Sequence, residues 1–112
     1  MNLLLQWQRA AAGETVAFNP KGSSMRGLVD SGGRVVVAPC RREALAVGDI
    51  VLVRVKGATY LHKIVAVQGE RLLIGNNRGG TNGWVHRDKV AGICTEVAGV
   101  ERPRLEGKLL KA

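Results

Sequence analysis

Two parts of the sequence hold the residue types of a nucleophilic hydrolase: a serine in a glycine-bearing loop and a histidine in an apolar run. The loop, Gly22-Ser23-Ser24-Met25, follows Asn19-Pro20, a pair that ends a strand. A serine becomes a nucleophile when it stands on an exposed turn, with backbone N–H groups for an oxyanion and a base within reach. Gly22 permits the unusual backbone angles of such a turn, and Met25 offers a flexible apolar anchor. Taken alone, this loop is typical of a plain turn.

The base of such a site has to come from another part of the chain. The sequence has two histidines, His62 and His86, and His62 lies inside a predicted strand. Side chains alternate between the two faces of a strand, so only one of His62 and Lys63 can face Ser24. Both faces are mostly apolar, and burial lowers the pKa of either group. The residues themselves leave the base open between His62 and Lys63.

The elements that must position these residues are predominantly strands. Fifteen glycines and only four aromatic residues among 112 favour short strands, tight turns and a core of Val, Leu and Ile. Asn2 as N-cap and Gly13 as terminator predict a short amphipathic helix before them. We expect an all-β domain over residues 1–100 and a basic, mobile tail over 101–112. Apolar runs predict six or seven strands, at 15–18, 34–38, 49–56, 59–68, 71–74, 84–86 and 90–97.

Charge and cysteine content narrow the choice of partners. Seventeen basic and nine acidic residues give a net charge of +8, which favours acidic partners. The charges are scattered and no aromatic run accompanies them, so nucleic acid is the less favoured partner. Cys40 and Cys94 show no metal-ligand spacing, which predicts buried thiols and neither a metal nor another cofactor. Residues 1–12 show no basic leader and no span-length apolar stretch, which predicts a cytoplasmic protein without a transmembrane segment.

Five sequence blocks, within about residues 15–97, resemble the superfamily of LexA-type repressor proteases and signal peptidases. The resemblance implies a twisted β-sheet or partial barrel. It implies Ser24 as nucleophile, because the family's serine precedes the methionine, and Gly22, Ser23 and Met25 as the turn beside the oxyanion. It implies His62 as base, as in the Ser-His signal peptidases of the endoplasmic-reticulum and archaeal-like type. The blocks are Gly22-Ser23-Ser24-Met25, Gly48-Asp49-Ile50-Val51, Tyr60-Leu61-His62-Lys63-Ile64-Val65, Gly75-Asn76-Asn77 and Val90-Ala91-Gly92.

Three features depart from the family pattern. Gly27 stands where the family usually has proline. Gly22 stands where many bacterial signal peptidases have a serine that binds the oxyanion. Asn76 and Asn82 fall at or near the positions of the acidic residues of the Ser-His enzymes, so any third member of the site is an amide. An amide orients a neutral imidazole but stabilises the imidazolium less than a carboxylate does, so we expect slow turnover.

The sequence therefore predicts a soluble serine endopeptidase that cuts a peptide bond next to small residues by acyl transfer. Its partner would be a peptide or protein substrate. A further subunit is a second expected partner, and the chain itself is a second expected substrate. Ala12-Gly13 resembles the Ala-Gly bond that LexA-like proteins cut in themselves. The alternative is a homologue with weak or no activity that keeps the fold and binds protein or nucleic acid.

Overall fold

Residues 2–20 and 33–110 are described by the structure, a computed structural model. These residues form one α-helix and eight strands, which confirms the prediction of an all-β fold with a short N-terminal helix. Short 3-10 turns precede β3 and β7. The elements are α1 (Leu3–Ala11), β1 (Val16–Phe18), β2 (Val35–Ala38), β3 (Ile50–Val55), β4 (Ala58–Gln68), β5 (Arg71–Gly75), β6 (Thr81–His86), β7 (Val90–Val97) and β8 (Val100–Glu101).

The strands form one antiparallel sheet that is strongly curved. Its order is β1-β2-β7-β3-β4-β5-β6, and β8 pairs with β7. Register shifts interrupt four of the strand pairings, and such bulges bend and twist a sheet. The curvature brings β6 back toward the end of β3. A Cβ built on Gly83 of β6 would lie 3.8 Å from Nζ of Lys56, the residue that follows β3. In the part of the chain that the structure describes, the sheet nevertheless stays open and does not close into a barrel.

Apolar side chains are buried on both faces of this sheet. The cluster under α1, here called the helix-side core, includes Leu52 and Leu61. The cluster on the other face, the tail-side core, includes Ile64 and Leu72. Each fully buried Val, Leu or Ile contributes about 1.5–3 kcal/mol. Strand β4 supplies side chains to both cores, so its two faces lie in different environments.

The helix begins and ends where local chemistry predicts. The Asn2 side chain caps it by accepting a hydrogen bond from Leu5 N at 3.1 Å, and Gly13 follows it with φ +99°. Leu4 and Ala11 lie outside the packed face of the helix, and Leu4 is 38% exposed. No helix among the described residues is long and apolar enough to cross a membrane. The face that packs on the sheet is formed by Leu3, Trp7 and Ala10.

Residues 101–110 belong to the predicted basic tail and make several contacts with the sheet. β8 pairs with β7, and Lys108 Nζ lies 2.9 and 2.8 Å from the two carboxylate oxygens of Asp49. The apolar groups and the lysine of this segment find partners that are far away in the sequence. Two leucines of this segment pack against the tail-side core, Leu105 and Leu109.

Candidate active site

His62 is the buried titratable side chain of the candidate site. It lies within β4, opposite Val51 of β3, and is only 6% exposed. Its Nδ1 lies 2.7 Å from Oδ1 of Asn82 on β6. An amide oxygen only accepts hydrogen bonds, so His62 Nδ1 carries a proton and donates it. In a neutral imidazole of this tautomer Nε2 carries the lone pair, which is the form that a general base needs.

The surroundings of His62 favour its neutral form. Burial lowers the pKa of His62 below its ordinary value of 6.5, and the hydrogen bond to Asn82 opposes part of this shift. The imidazole is therefore mostly neutral at pH 7. Tyr60 stacks on the ring, with 4.8 Å between the ring centroids and 27° between the planes. The phenol ring covers one side of the imidazole.

Lys63 lies on the opposite face of β4 from His62. Tyr60 and Ile64, two residues before and after the histidine, pack in or against the tail-side core. Leu61, two residues before the lysine, belongs to the helix-side core. Since side chains alternate along a strand, the imidazole and the ammonium leave β4 in opposite directions. It is the imidazole that lies against Asn82.

Asn82 reaches His62 because of a bulge in β6. In the pairing with β5, Ile74 lies opposite Gly83 and Gly75 lies opposite Thr81, which leaves Asn82 as the extra residue. A bulge of this kind redirects a side chain. Gly83 has φ +121°, which favours glycine. The amide that orients the histidine therefore depends on an irregularity in the edge strand.

Asn76, the other predicted supporting amide, shapes the loop between β5 and β6. Its Oδ1 accepts hydrogen bonds from Arg78 N at 2.8 Å and from Gly80 N at 3.1 Å. A Cβ on Gly75 would lie 2.9 Å from Gly80 O, so the chain passes too closely here for a larger residue. Asn76 thus holds the turn that leads into the bulge, while Asn82 contacts the imidazole.

The predicted nucleophile Ser24 lies outside the described residues, as do its neighbours Gly22, Ser23 and Met25. The second histidine, His86, has an exposed side chain whose Nδ1 lies 3.2 Å from Asp88 Oδ1. Asp88 lies at the surface. Of the two histidines, it is therefore His62 that has the burial and the oriented tautomer of a base.

Both thiols lie in the interior, which confirms the prediction of buried cysteines. Burial raises the pKa of Cys40 and of Cys94 to about 11. A thiol with such a pKa stays protonated at neutral pH and is a poor nucleophile. Among the described residues, His, Cys, Asp and Glu nowhere come together in threes that could hold a metal ion.

The sequence patterns do not predict that three charged side chains, those of Asp49, Lys108 and Arg87, lie largely out of solvent. The side chains of Asp49 and Lys108 are 10% and 15% exposed and form an ion pair, and Asp49 also accepts a hydrogen bond from Ala46 N. The Arg87 side chain is buried. Asp49 lies in the Gly48-Asp49 block, but a single lysine in a tail gives no local signal of its partner. The Arg87 guanidinium donates to three backbone carbonyls, those of Gly69, Arg42 and Leu45.

No protein-family model matches the chain, and no curated protein matches it either. The resemblance to the LexA and signal-peptidase superfamily therefore rests on the five sequence blocks and stays a prediction. What the structure shows at the coarser level is the open, antiparallel all-β fold.

Proposed function

We propose that the chain is a serine peptidase in which His62, oriented by Asn82, is the general base and Ser24 the nucleophile. The observation that carries the proposal is the 2.7 Å hydrogen bond from His62 Nδ1 to Asn82 Oδ1. It selects the tautomer in which Nε2 accepts a proton, and burial keeps the ring neutral at pH 7. The order of the five sequence blocks supports Ser24 as the nucleophile.

The proposed reaction is acyl transfer through an ester on Ser24. Its Oγ attacks the carbonyl carbon of a peptide bond while His62 Nε2 takes the hydroxyl proton. Backbone N–H groups of the 22–25 loop would hold the oxyanion, and losing one such donor costs about 3–4 kcal/mol in the barrier. His62 then protonates the leaving amine as the C–N bond breaks. Water attacks the acyl ester by the same route and regenerates the serine.

The amide partner makes a slow enzyme the expected outcome. An amide in place of a carboxylate is most harmful when it imposes the wrong tautomer on the imidazole. Here the oxygen of Asn82 faces Nδ1, which is compatible with the productive tautomer. The imidazolium that forms during the reaction still lacks a compensating negative charge, and burial penalises it further. Both effects raise the barrier without removing the chemistry.

A fluorophosphonate probe tests the proposal directly. We expect one adduct on the wild-type chain at mildly alkaline pH, located on Ser24 by tandem mass spectrometry. Ser24→Ala should abolish labelling, whereas the matched variant Ser23→Ala should retain it. Equal labelling of wild type and Ser24→Ala would refute the nucleophile, and an unlabelled but folded wild type would favour the alternative of an inactive binding module.

The substrate that we propose is a peptide from another chain, cut next to small residues. The chain's own Ala12-Gly13 bond lies in the turn that ends α1, where Ala12 N bonds to Gln8 O and Gly13 N to Ala10 O. This turn would have to open before a peptidase could bind the bond in extended form. The intact mass should therefore stay unchanged after prolonged incubation at alkaline pH, and fragments that meet at Ala12-Gly13 would contradict this. The cytoplasmic location stays a prediction of the sequence.

A further inference from the structure

Two adjoining grooves outside the histidine site share three cationic side chains. The larger, of about 690 Å³, lies between α1 and the turn after β3. The smaller, of about 290 Å³, lies between that turn and β6. Arg54, Lys56 and Lys89 line both, so the grooves are continuous. Together with Arg71, Trp7 and Trp84, these three residues form what is here called the basic surface.

The charges of the basic surface are not balanced by acids. Arg54 donates to the Thr59 hydroxyl at 3.1 Å and to the Gly57 carbonyl at 3.0 Å, both of which are neutral. Within residues 2–20 and 33–110, its four cations take part in no ion pair. No acidic residue of the described chain lines either groove. Like charges in a concave site repel one another and attract an anionic ligand.

Both tryptophans of the protein belong to this surface. Trp7 Nε1 donates to the Lys89 carbonyl at 3.0 Å, which fixes that ring beside the grooves. Trp84 lies on the edge strand β6 and is 44% exposed. An exposed aromatic ring next to cations is the arrangement on which proteins stack the bases of single strands. The cations line concave grooves, which suit a chain-like polyanion better than the flat surface of a membrane.

We propose that the basic surface binds single-stranded nucleic acid. Backbone phosphates would pair with Arg54, Lys56, Arg71 and Lys89, and a base would stack on Trp84. The proposal does not depend on the peptidase, because His62 lines neither groove.

Fluorescence anisotropy with a labelled oligothymidylate of about 12 nucleotides, within the size range of one single-strand site, tests the proposal. The double variant Lys56→Glu/Lys89→Glu lowers the net charge from +8 to +4, a change of two for each substitution. We expect it to weaken binding about tenfold or more at low salt, and to reduce the salt slope by about 1.4, at roughly 0.7 for each phosphate contact. Arg41→Glu/Arg104→Glu is the matched control, since it changes the net charge equally at positions outside both grooves. This control should bind within about threefold of wild type.

The aromatic part of the proposal has its own variant. Trp84→Leu keeps an apolar side chain but removes the stacking ring, and should weaken oligonucleotide binding about tenfold. An equal loss in both charge variants, or unchanged binding by Trp84→Leu, would overturn the proposal. So would tighter binding to heparin or to phosphatidylserine vesicles than to the oligonucleotide. Fluorophosphonate labelling of Ser24 should be the same in these variants as in wild type, so the two proposals fail or stand separately.

Discussion

Two partly buried polar contacts connect distant parts of the chain, and they differ in charge. The contact between His62 and Asn82 joins β4 to β6 and is a neutral hydrogen bond. The contact between Asp49 and Lys108 joins the start of β3 to the C-terminal segment and is an ion pair. In the ion pair each charge compensates the other, which serves stability. The amide of Asn82 carries no charge, so the buried imidazole stays neutral and can serve as a base.

Removing the imidazole should have the largest effect on the proposed chemistry. We expect His62→Gln to lower the rate of fluorophosphonate labelling by about a hundredfold or more, because Ser24 loses its proton acceptor. The matched variant His86→Gln changes an exposed ring and should label like wild type. Similar labelling by both variants would refute the role of His62.

Breaking the ion pair should affect stability instead. Lys108→Met leaves the Asp49 carboxylate buried without its partner, and we expect the free energy of unfolding to fall by about 3 kcal/mol in urea titrations. Arg41→Met breaks the exposed pair with Glu43 and should cost about 0.5 kcal/mol or less. The labelling rate per folded molecule should not change in either variant. Equal stability of the two variants would show that the tail contact contributes little.

The amide of the neutral contact should have a smaller effect than the imidazole itself. We expect Asn82→Ala to slow labelling about tenfold, since one hydrogen bond of about 1–1.5 kcal/mol no longer orients the ring. Asn82→Asp places a negative charge beside the ring, which raises the pKa of His62. The midpoint of the pH–rate profile should therefore move upward in Asn82→Asp. An unchanged midpoint would argue against contact between residue 82 and the base.

The smallest expected effect is the pH dependence of stability. The pKa of His62 is lowered in the folded protein from an ordinary value of 6.5, so the unfolded chain takes up a proton first as the pH falls. The stability that the neutral His62 imidazole contributes is complete above about pH 6.5. It is lost as the pH falls toward the pKa of His62 in the folded protein. Thermal melts between pH 7 and 5 should therefore show a shallower decline in His62→Gln than in His86→Gln. Parallel declines would mean that His62 is not held neutral.

Much of the fold could be predicted because its signals are local. The Asn2 cap, the Gly13 terminator and the apolar run of β4 each depend on neighbours along the chain. The choice between Asn76 and Asn82 could not be predicted, because it depends on a bulge that shifts the register of β6 against β5. The sequence signal of this bulge is Gly83, directly after Asn82, because a glycine within a strand often marks a bulge.

By itself, the sequence determined the all-β class, the N-terminal helix, the buried thiols and a histidine within a strand. Only the tertiary structure decided that His62 faces Asn82 while Lys63 points the other way. It also brought Trp7 and Trp84 onto one basic surface, although they lie far apart in the sequence. The physical reason is range: caps, turns and alternation are set by adjacent residues. Contacts between β4 and β6, or between α1 and the turn after β3, depend on the curvature and register of the whole sheet.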